Sequence, residues 1–524
     1  MPLALQALLP FLFLCGGAAA VSLTPRKRYR GPIAIVATAL PLAVAVTLLA
    51  RLAPAERVDI PYLRLFPDAD VAIRLDALSA VFAVVLLLTA CLLMLARSSA
   101  ADDRRQPWSS WLLTTAAALS VIFAANLLLL YIVLQLLTLA WSGALDETAP
   151  RFRVTRMAEQ VADLGLLLVA GLMTASVGTS AMSGIPSDAI GSPAFLLALA
   201  PVAVRIGALA QLTERPRSPV IFEPAIARAA VAGYLLLRLI SLTGGRPPGR
   251  AVQVLLFAAG LAAAALFLAR AARQRSAAGA QLKLAAAQAG IASAMCAPGT
   301  PLAALAGVWA WLGVILLTGL ATVRHDDRSL AGPLKAAALA TLPPGFLFTG
   351  VWLGSLALAE QHLAIAILPL GLLAAAMAAV ALHSMSPPEP ARISLAAGFG
   401  AALILAGLIP GPLLALAVTP AARIVRAIPG GTVRPELLGI RTDTAFLPLL
   451  PVGLLVGAAI AVWLYAGAPR PRARFPAIAP ARLPSLNTSA PSLRQAAGRI
   501  AGLPWMRLGW LAYGVAIAAA IALR

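Results

Sequence analysis

The chain has 524 residues, 61% of them hydrophobic and 12% charged, with a mean hydropathy of +0.90. That balance excludes a soluble globular enzyme. The net charge of +21 would suggest nucleic acid in a soluble protein, but here the basic residues fall mostly in short connections between apolar runs, so no nucleic-acid partner is expected.

A helical membrane span needs about 20 apolar residues. Candidate spans lie near 3–22, 32–50, 77–96, 110–125, 127–145, 160–178, 192–210 and 225–241, then near 251–269, 281–296, 301–321, 332–356, 362–382, 392–418, 445–466 and 505–523. They predict an all-α polytopic membrane protein of about fourteen to sixteen transmembrane helices, some of them broken. The opening run has no basic stretch before it and is expected to remain as the first span rather than act as a signal peptide.

Arg26 to Arg30, Arg104 and Arg105, Arg151, Arg153 and Arg156, and Arg215 and Arg217 follow alternate spans. These connections are expected to be cytoplasmic, with the N-terminus outside. The intervening stretch 51–74 carries Arg51, Glu56, Arg57, Asp59, Arg64, Asp68, Asp70 and Arg74 among three prolines, which predicts an ordered outer-face loop. Residues 1–466 therefore read as one polytopic domain, 467–503 as a Pro/Arg-rich connection with an interfacial segment or a solvated linker, and 504–524 as a C-terminal anchor. Extramembrane catalytic machinery has no room in these connections.

Charged groups inside lipid are costly and usually face protein or water, where they brace helices or relay ions. Asp76 stands immediately before "ALSAVFAVVLLL" and reads as a helix start or as a functional carboxylate. Gln135 is central in "NLLLLYIVLQLLTLAW" with Asn126, Tyr131 and Thr138. It can bond between helices or orient water, but its amide does not titrate. Glu159 and Asp163 are one turn apart, with Arg156 one turn before them, a spacing that predicts a network on one helix face serving either interfacial stability or ion entry. From Val204 to Leu239 the sequence places Arg205, Glu214, Glu223, Arg228 and Arg238 near or inside apolar runs, while Pro216, Pro219 and Pro224 interrupt helical bonding. A broken helix beside an ion path and a charged interhelical brace both fit.

Farther on, Lys283 enters "LAAAQAGIASAMCA" either as a buried, exchangeable amine or as a snorkelling one, and Lys335 carries the same pair of readings. Glu360 and His362 mark a polar station or a loop. "TLPPGFLFTG", from Thr341 to Gly350, predicts a local helix break without a titrating side chain. Cys15, Cys91 and Cys296 lie in or against apolar runs, and His325, His362 and His383 lack ligand spacing. No metal or other cofactor is expected, and no nucleophile motif points to an enzyme.

In this order, "IRLDALSAVF", "NLLLLYIVLQLLTLAW", "SPVIFEPAIARAAVAGYLLLRL" and "TLPPGFLFTG" resemble the antiporter-like, proton-conducting membrane subunits of respiratory complex I and of related hydrogenase or cation/proton antiporter complexes. The likeness runs over about 70–350 of the numbering, more weakly beyond. It implies membrane and soluble partner subunits, surrounding lipid, a bacterial inner-membrane location and participation in proton translocation coupled to redox chemistry or transport. The departures are specific. The family's glutamate falls at Gln135, preceded by Leu134 instead of tryptophan, its first central lysine at Arg205, its broken-helix histidine near Ala225 and its later lysine near Thr349. Lys283 matches the middle lysine, and the histidines expected in 301–321 are absent. Three consequences follow from the resemblance: a rerouted proton path through Glu214, Glu223 and Lys283, a structural or assembly subunit without independent conduction, or a proton-coupled subunit of inorganic-carbon uptake.

Overall fold

The computed structural model describes residues 3–52, 56–66, 69–98, 107–142, 150–211, 223–274, 277–323, 331–383, 395–430, 432–436, 439–443 and 445–456. The expected connection at 467–503 and the anchor at 504–524 lie outside the described residues, as does Glu214.

Uninterrupted apolar sequence makes helices wherever it is long enough, because a backbone in lipid must bond to itself. In chain order these are α1 (Leu3–Leu23), α2 (Arg30–Arg51), α3 (Ala77–Ser98), α4 (Trp108–Ile122), α5 (Leu127–Ser142), α6 (Pro150–Val177), α7 (Ser192–Gln211), α8 (Glu223–Leu242), α9 (Arg250–Ala272), α10 (Ala277–Met295) and α11 (Pro301–Thr322). The expected span at 332–356 is split into α12 (Ala331–Leu339) and α13 (Phe348–Glu360), followed by α14 (Ile367–His383). The span at 392–418 becomes α15 (Leu395–Leu408) and α16 (Gly411–Val425), bent by 80°, with one wide π turn at Leu414–Val418. Among the described residues nine helices are long and apolar enough to cross a membrane, and the bent pair supplies one more; α4 and α5 are apolar but shorter.

The polar stretch after α2, expected as an ordered loop, is a β-hairpin. Strands β1 (Arg57–Phe66) and β2 (Ala69–Asp76) pair antiparallel, with Arg74 opposite Asp59. The two side chains form a bidentate ion pair at 2.7 and 2.8 Å, a cross-strand contact that fixes the register. The later polar interruption forms a small sheet of β3 (Val433–Glu436), β4 (Gly439–Thr442) and β5 (Phe446–Leu447).

Isolated bridges from Ile73 to Ala124 and from Asn126 to Ala181 gather β2, the α4–α5 turn and the α6–α7 loop at one end of the bundle, called here the hairpin end. The Arg57 guanidinium and the Ser241 hydroxyl both donate to the Ile424 carbonyl, so the end of α16 is tied to the hairpin and α8 there. Helix connectivity puts the Arg26–Arg30 turn at the opposite, basic end.

Burial grades outward from the middle. The window of α11 that would cross a membrane is 100% buried and that of α8 94%, against 33% for α1, α2 and α9. The "TLPPGFLFTG" break packs on α11: Trp309 Nε1 donates to the Phe346 carbonyl at 2.8 Å, with the two rings stacked at 4.6 Å. Gly345 fits only as glycine, since a Cβ there would collide with the Ala340 carbonyl.

Helices α9 and α10 approach through facing glycines. A Cβ on Gly260 would lie 2.7 Å from the Gly290 oxygen, and one on Gly290 would lie 2.6 Å from the Ala264 nitrogen. Gly290→Val is therefore expected to destabilise the protein by about 1–3 kcal/mol through overpacking, read as a lower Tm of the detergent-solubilised chain. An unchanged Tm would refute this close contact.

Candidate functional site

The first cluster is built on α6. Glu159 and Asp163, four residues apart, place two buried carboxylates on one helix face, where their mutual repulsion requires a cation for each. The cations come from two other helices. Arg205 of α7 grips Asp163 with both terminal nitrogens, Nη1 to Oδ1 at 2.7 Å and Nη2 to Oδ2 at 3.0 Å, and also donates to the Pro201 carbonyl at 3.2 Å. Gln135 Nε2 of α5 donates to the same carboxylate at 3.4 Å, a long bond.

Arg228 of α8 donates through Nε to Glu159 Oε1 at 2.6 Å, while Trp141 Nε1 of α5 donates to Oε2 at 2.9 Å. The guanidinium lies 4.1 Å from the Trp141 ring centre, so the indole supplies both a hydrogen bond to the anion and a π face to the cation.

A third pair sits towards the hairpin end. Asp76 accepts the Ser79 backbone N–H at 2.8 Å, and its own N–H donates to Ser79 Oγ at 3.0 Å, a reciprocal cap that starts α3. The same carboxylate receives Arg238 Nη1 at 2.7 Å and Nη2 at 3.0 Å. Arg238 is backed by the Tyr234 hydroxyl, to which Nε and Nη2 donate at 3.0 and 2.8 Å.

These three pairs join α3, α6, α7 and α8, with α5 contributing Gln135 and Trp141. Each guanidinium and each carboxylate is at most 3% exposed. The three guanidinium groups keep their protons throughout the accessible pH range and hold charge at these pairs. Sequence reasoning singled out all three carboxylates and all three arginines, but missed Trp141 and Tyr234 as their partners; Trp141 is 18 residues before Glu159, a spacing with no helical signature.

The remaining candidates divide. Lys283 is buried in α10, 4% exposed. Lys335 is buried in the middle of α12, where Nζ donates to the Ala321 and Val323 carbonyls at 3.3 and 3.1 Å and so caps the end of α11. Glu223 is the first residue of α8; Glu360 and His362 are exposed at and just beyond the end of α13 and do not join the buried clusters. On α10 itself Gln281 Oε1 and Gln288 Oε1, and on α11 and α13, which pack against it, Thr318 Oγ1 and Thr349 Oγ1, are buried oxygens with no hydrogen-bond partner among the described residues.

No protein-family model and no curated protein matches the chain. Its fold is similar to those of membrane subunits in solved complexes. One chain of the membrane-bound sulfane sulfur reductase, an archaeal respiratory membrane complex, superposes with a TM-score of 0.71 at 17% identity, over 99% of this chain and 95% of that one. A chain of the Mrp complex from Dietzia sp. gives 0.67 at 18%, over 96% and 60%. A chain of respiratory complex I from Thermus thermophilus gives 0.65 at 19%, over 81% and 100%. The chain thus has the fold of the antiporter-like membrane subunits of complex I-related assemblies.

Arg205→Met leaves the Asp163 charge buried without its bidentate partner and is expected to cost about 3–5 kcal/mol. Arg205→Met/Asp163→Leu should recover most of that loss. Thermal unfolding of the four species in a double-mutant cycle measures the coupling, and additive losses would refute the pair.

Proposed function

We propose that the chain is a membrane subunit of a multisubunit ion-translocating complex in which the α5–α8 half works as an electrostatically closed brace. The Asp163–Arg205 pair carries this reading. Where the family resemblance puts a glutamate on α5 and a lysine on α7, this chain has Gln135 and Arg205, and the carboxylate that answers the cation stands on α6 instead. A relay needs groups that take up and release a proton, and neither an amide nor a guanidinium does so. Such a subunit would complete the membrane part of a bacterial inner-membrane assembly and transmit packing between its membrane and soluble neighbours.

A second reading is favoured by α10. Lys283 has the one buried amine at a position where the resemblance implies proton exchange, and the orphan oxygens of Gln281, Gln288, Thr318 and Thr349 are groups that water would satisfy. In that reading the subunit moves protons through its α10–α13 half alone.

Proton flux in sealed vesicles holding the native complex separates the two once assembly is verified. Arg205→Met/Asp163→Leu and Glu223→Gln are expected to keep full flux, and its loss in an assembled complex would overturn the closed brace. Lys283→Ala is expected to be silent for a pure brace and to abolish this subunit's share of the flux if the α10–α13 half conducts.

A further inference from the structure

The sequence from Met1 to Ala55 holds no aspartate or glutamate; the first acidic residue of the chain is Glu56. Within that acid-free stretch, Arg26, Lys27, Arg28 and Arg30 are packed into five positions. Two other basic connections at this end mix their charges, Asp102 and Asp103 preceding Arg104 and Arg105, and Asp146 and Glu147 preceding Arg151 and Arg153, whereas the α9–α10 connection, with Arg270, Arg273 and Arg275, is acid-free as well but spreads its cations more widely. Topological signalling needs only basic residues. The α1–α2 turn has more than that, a dense positive charge with no acidic residue in its own sequence.

Its geometry is also set. Residues Lys27–Tyr29 make one turn of 3-10 helix between α1 and α2. Arg30 Nε donates to the Thr24 carbonyl at 3.0 Å and closes the turn. Arg28 Nη2 donates to the Tyr29 hydroxyl at 2.7 Å, and its guanidinium carbon stands 4.7 Å from that ring's centre. Arg26, Arg28 and Tyr29 are exposed. Below them are exposed aliphatic side chains: Leu23, the last residue of α1, is 82% exposed, and Val36 and Leu40, one turn apart on the second and third turns of α2, are 55% and 43% exposed. Cations and a phenol at the level of the helix ends, over bare aliphatic side chains, match the two parts of a phospholipid.

We propose that the α1–α2 turn binds the phosphate headgroup of an anionic phospholipid in the leaflet at the basic end, with an acyl chain lying along Leu23, Val36 and Leu40. Arg26 and Arg28 are the contacts to phosphate, a planar guanidinium being suited to two phosphate oxygens at once. Tyr29 positions Arg28 through its ring and its hydroxyl. The bound lipid would neutralise the acid-free turn and fill the outer face of α1 and α2. This inference is independent of whether the subunit conducts.

The test uses the full-length chain in nanodiscs of phosphatidylcholine containing a minor fraction of either a photoreactive phosphatidylglycerol or a photoreactive phosphatidylcholine, with the labelled peptides mapped by mass spectrometry. Peptides spanning 23–36 are expected to be labelled by phosphatidylglycerol at least about fivefold more than by phosphatidylcholine, the factor expected from one basic side chain near a charged headgroup. Arg26→Gln/Arg28→Gln should bring the ratio close to one, while Arg26→Lys/Arg28→Lys should keep most of it. Raising sodium chloride from about 50 mM to 500 mM should collapse the preference in the unaltered protein, so the test does not depend on a variant that inserts correctly. Equal labelling by the two lipids overturns the proposal, as does a preference that ignores salt, or a native complex in which another protein's peptide occupies the turn in place of lipid.

Discussion

A guanidinium in a dry helical bundle can neither keep its hydration shell nor give up its proton, so the fold has to bring a carboxylate to it. This requirement organises the first half of the molecule. Arg205, Arg228 and Arg238 come from two helices, α7 and α8, and their anions from α6 and the start of α3. Since removing one member of a buried pair costs about 3–5 kcal/mol, any arrangement that separates these helices leaves charges stranded. Glu159 and Asp163 sharpen the constraint. As neighbours on one helix face they must be answered from two directions, by α8 and by α7, which fixes how those helices sit against α6.

The same chemistry divides the protein into two unlike halves. In α5–α8 the buried cations are arginines, bidentate or ring-stacked and backed by Trp141 and Tyr234, with Arg205 Nε and Arg228 Nη1 and Nη2 lacking a hydrogen-bond partner among the described residues. In α10–α13 the buried cations are the amines of Lys283 and Lys335, and oxygens of Gln281, Gln288, Thr318 and Thr349 have no hydrogen-bond partner among the described residues. A lysine amine can be discharged by desolvation, whereas an arginine cannot be within any pH a cell reaches. Arg205 therefore answers the Asp163 charge without titrating. Gln135 reaches the same carboxylate from α5.

How far the sequence anticipates this depends on the range of each interaction. The helices are legible because lipid solvation acts on every residue of an apolar run, and the break at Pro343–Gly345 is legible because proline and glycine act locally. The spacing of Glu159 and Asp163 is legible in the same way, but their partners at Arg228 and Arg205 are 69 and 42 residues distant, and no helical period links them. The β1–β2 hairpin escapes for a different reason: its register is held by Arg74 against Asp59 and by bridges to Ala124, long-range contacts laid over a sequence that reads as a charged, proline-rich loop. Lys335 is ambiguous between an intramembrane amine and a snorkelling one until the end of α11 is placed beside it, where it caps two carbonyls.

Partner choice by arginine also explains why Asp76 is more than a helix cap. A cap alone would leave one side of the carboxylate free to face solvent, and Ser79 needs only Oδ1. Here the second oxygen is turned inward to Arg238, and the Tyr234 hydroxyl holds that guanidinium from the other side. The start of α3 is thereby coupled to α8, whose other buried arginine holds α6. A displacement of α8 would disturb the hairpin end through Asp76 and the opposite end through Glu159 together, so α8 acts as the common strut of these two pairs.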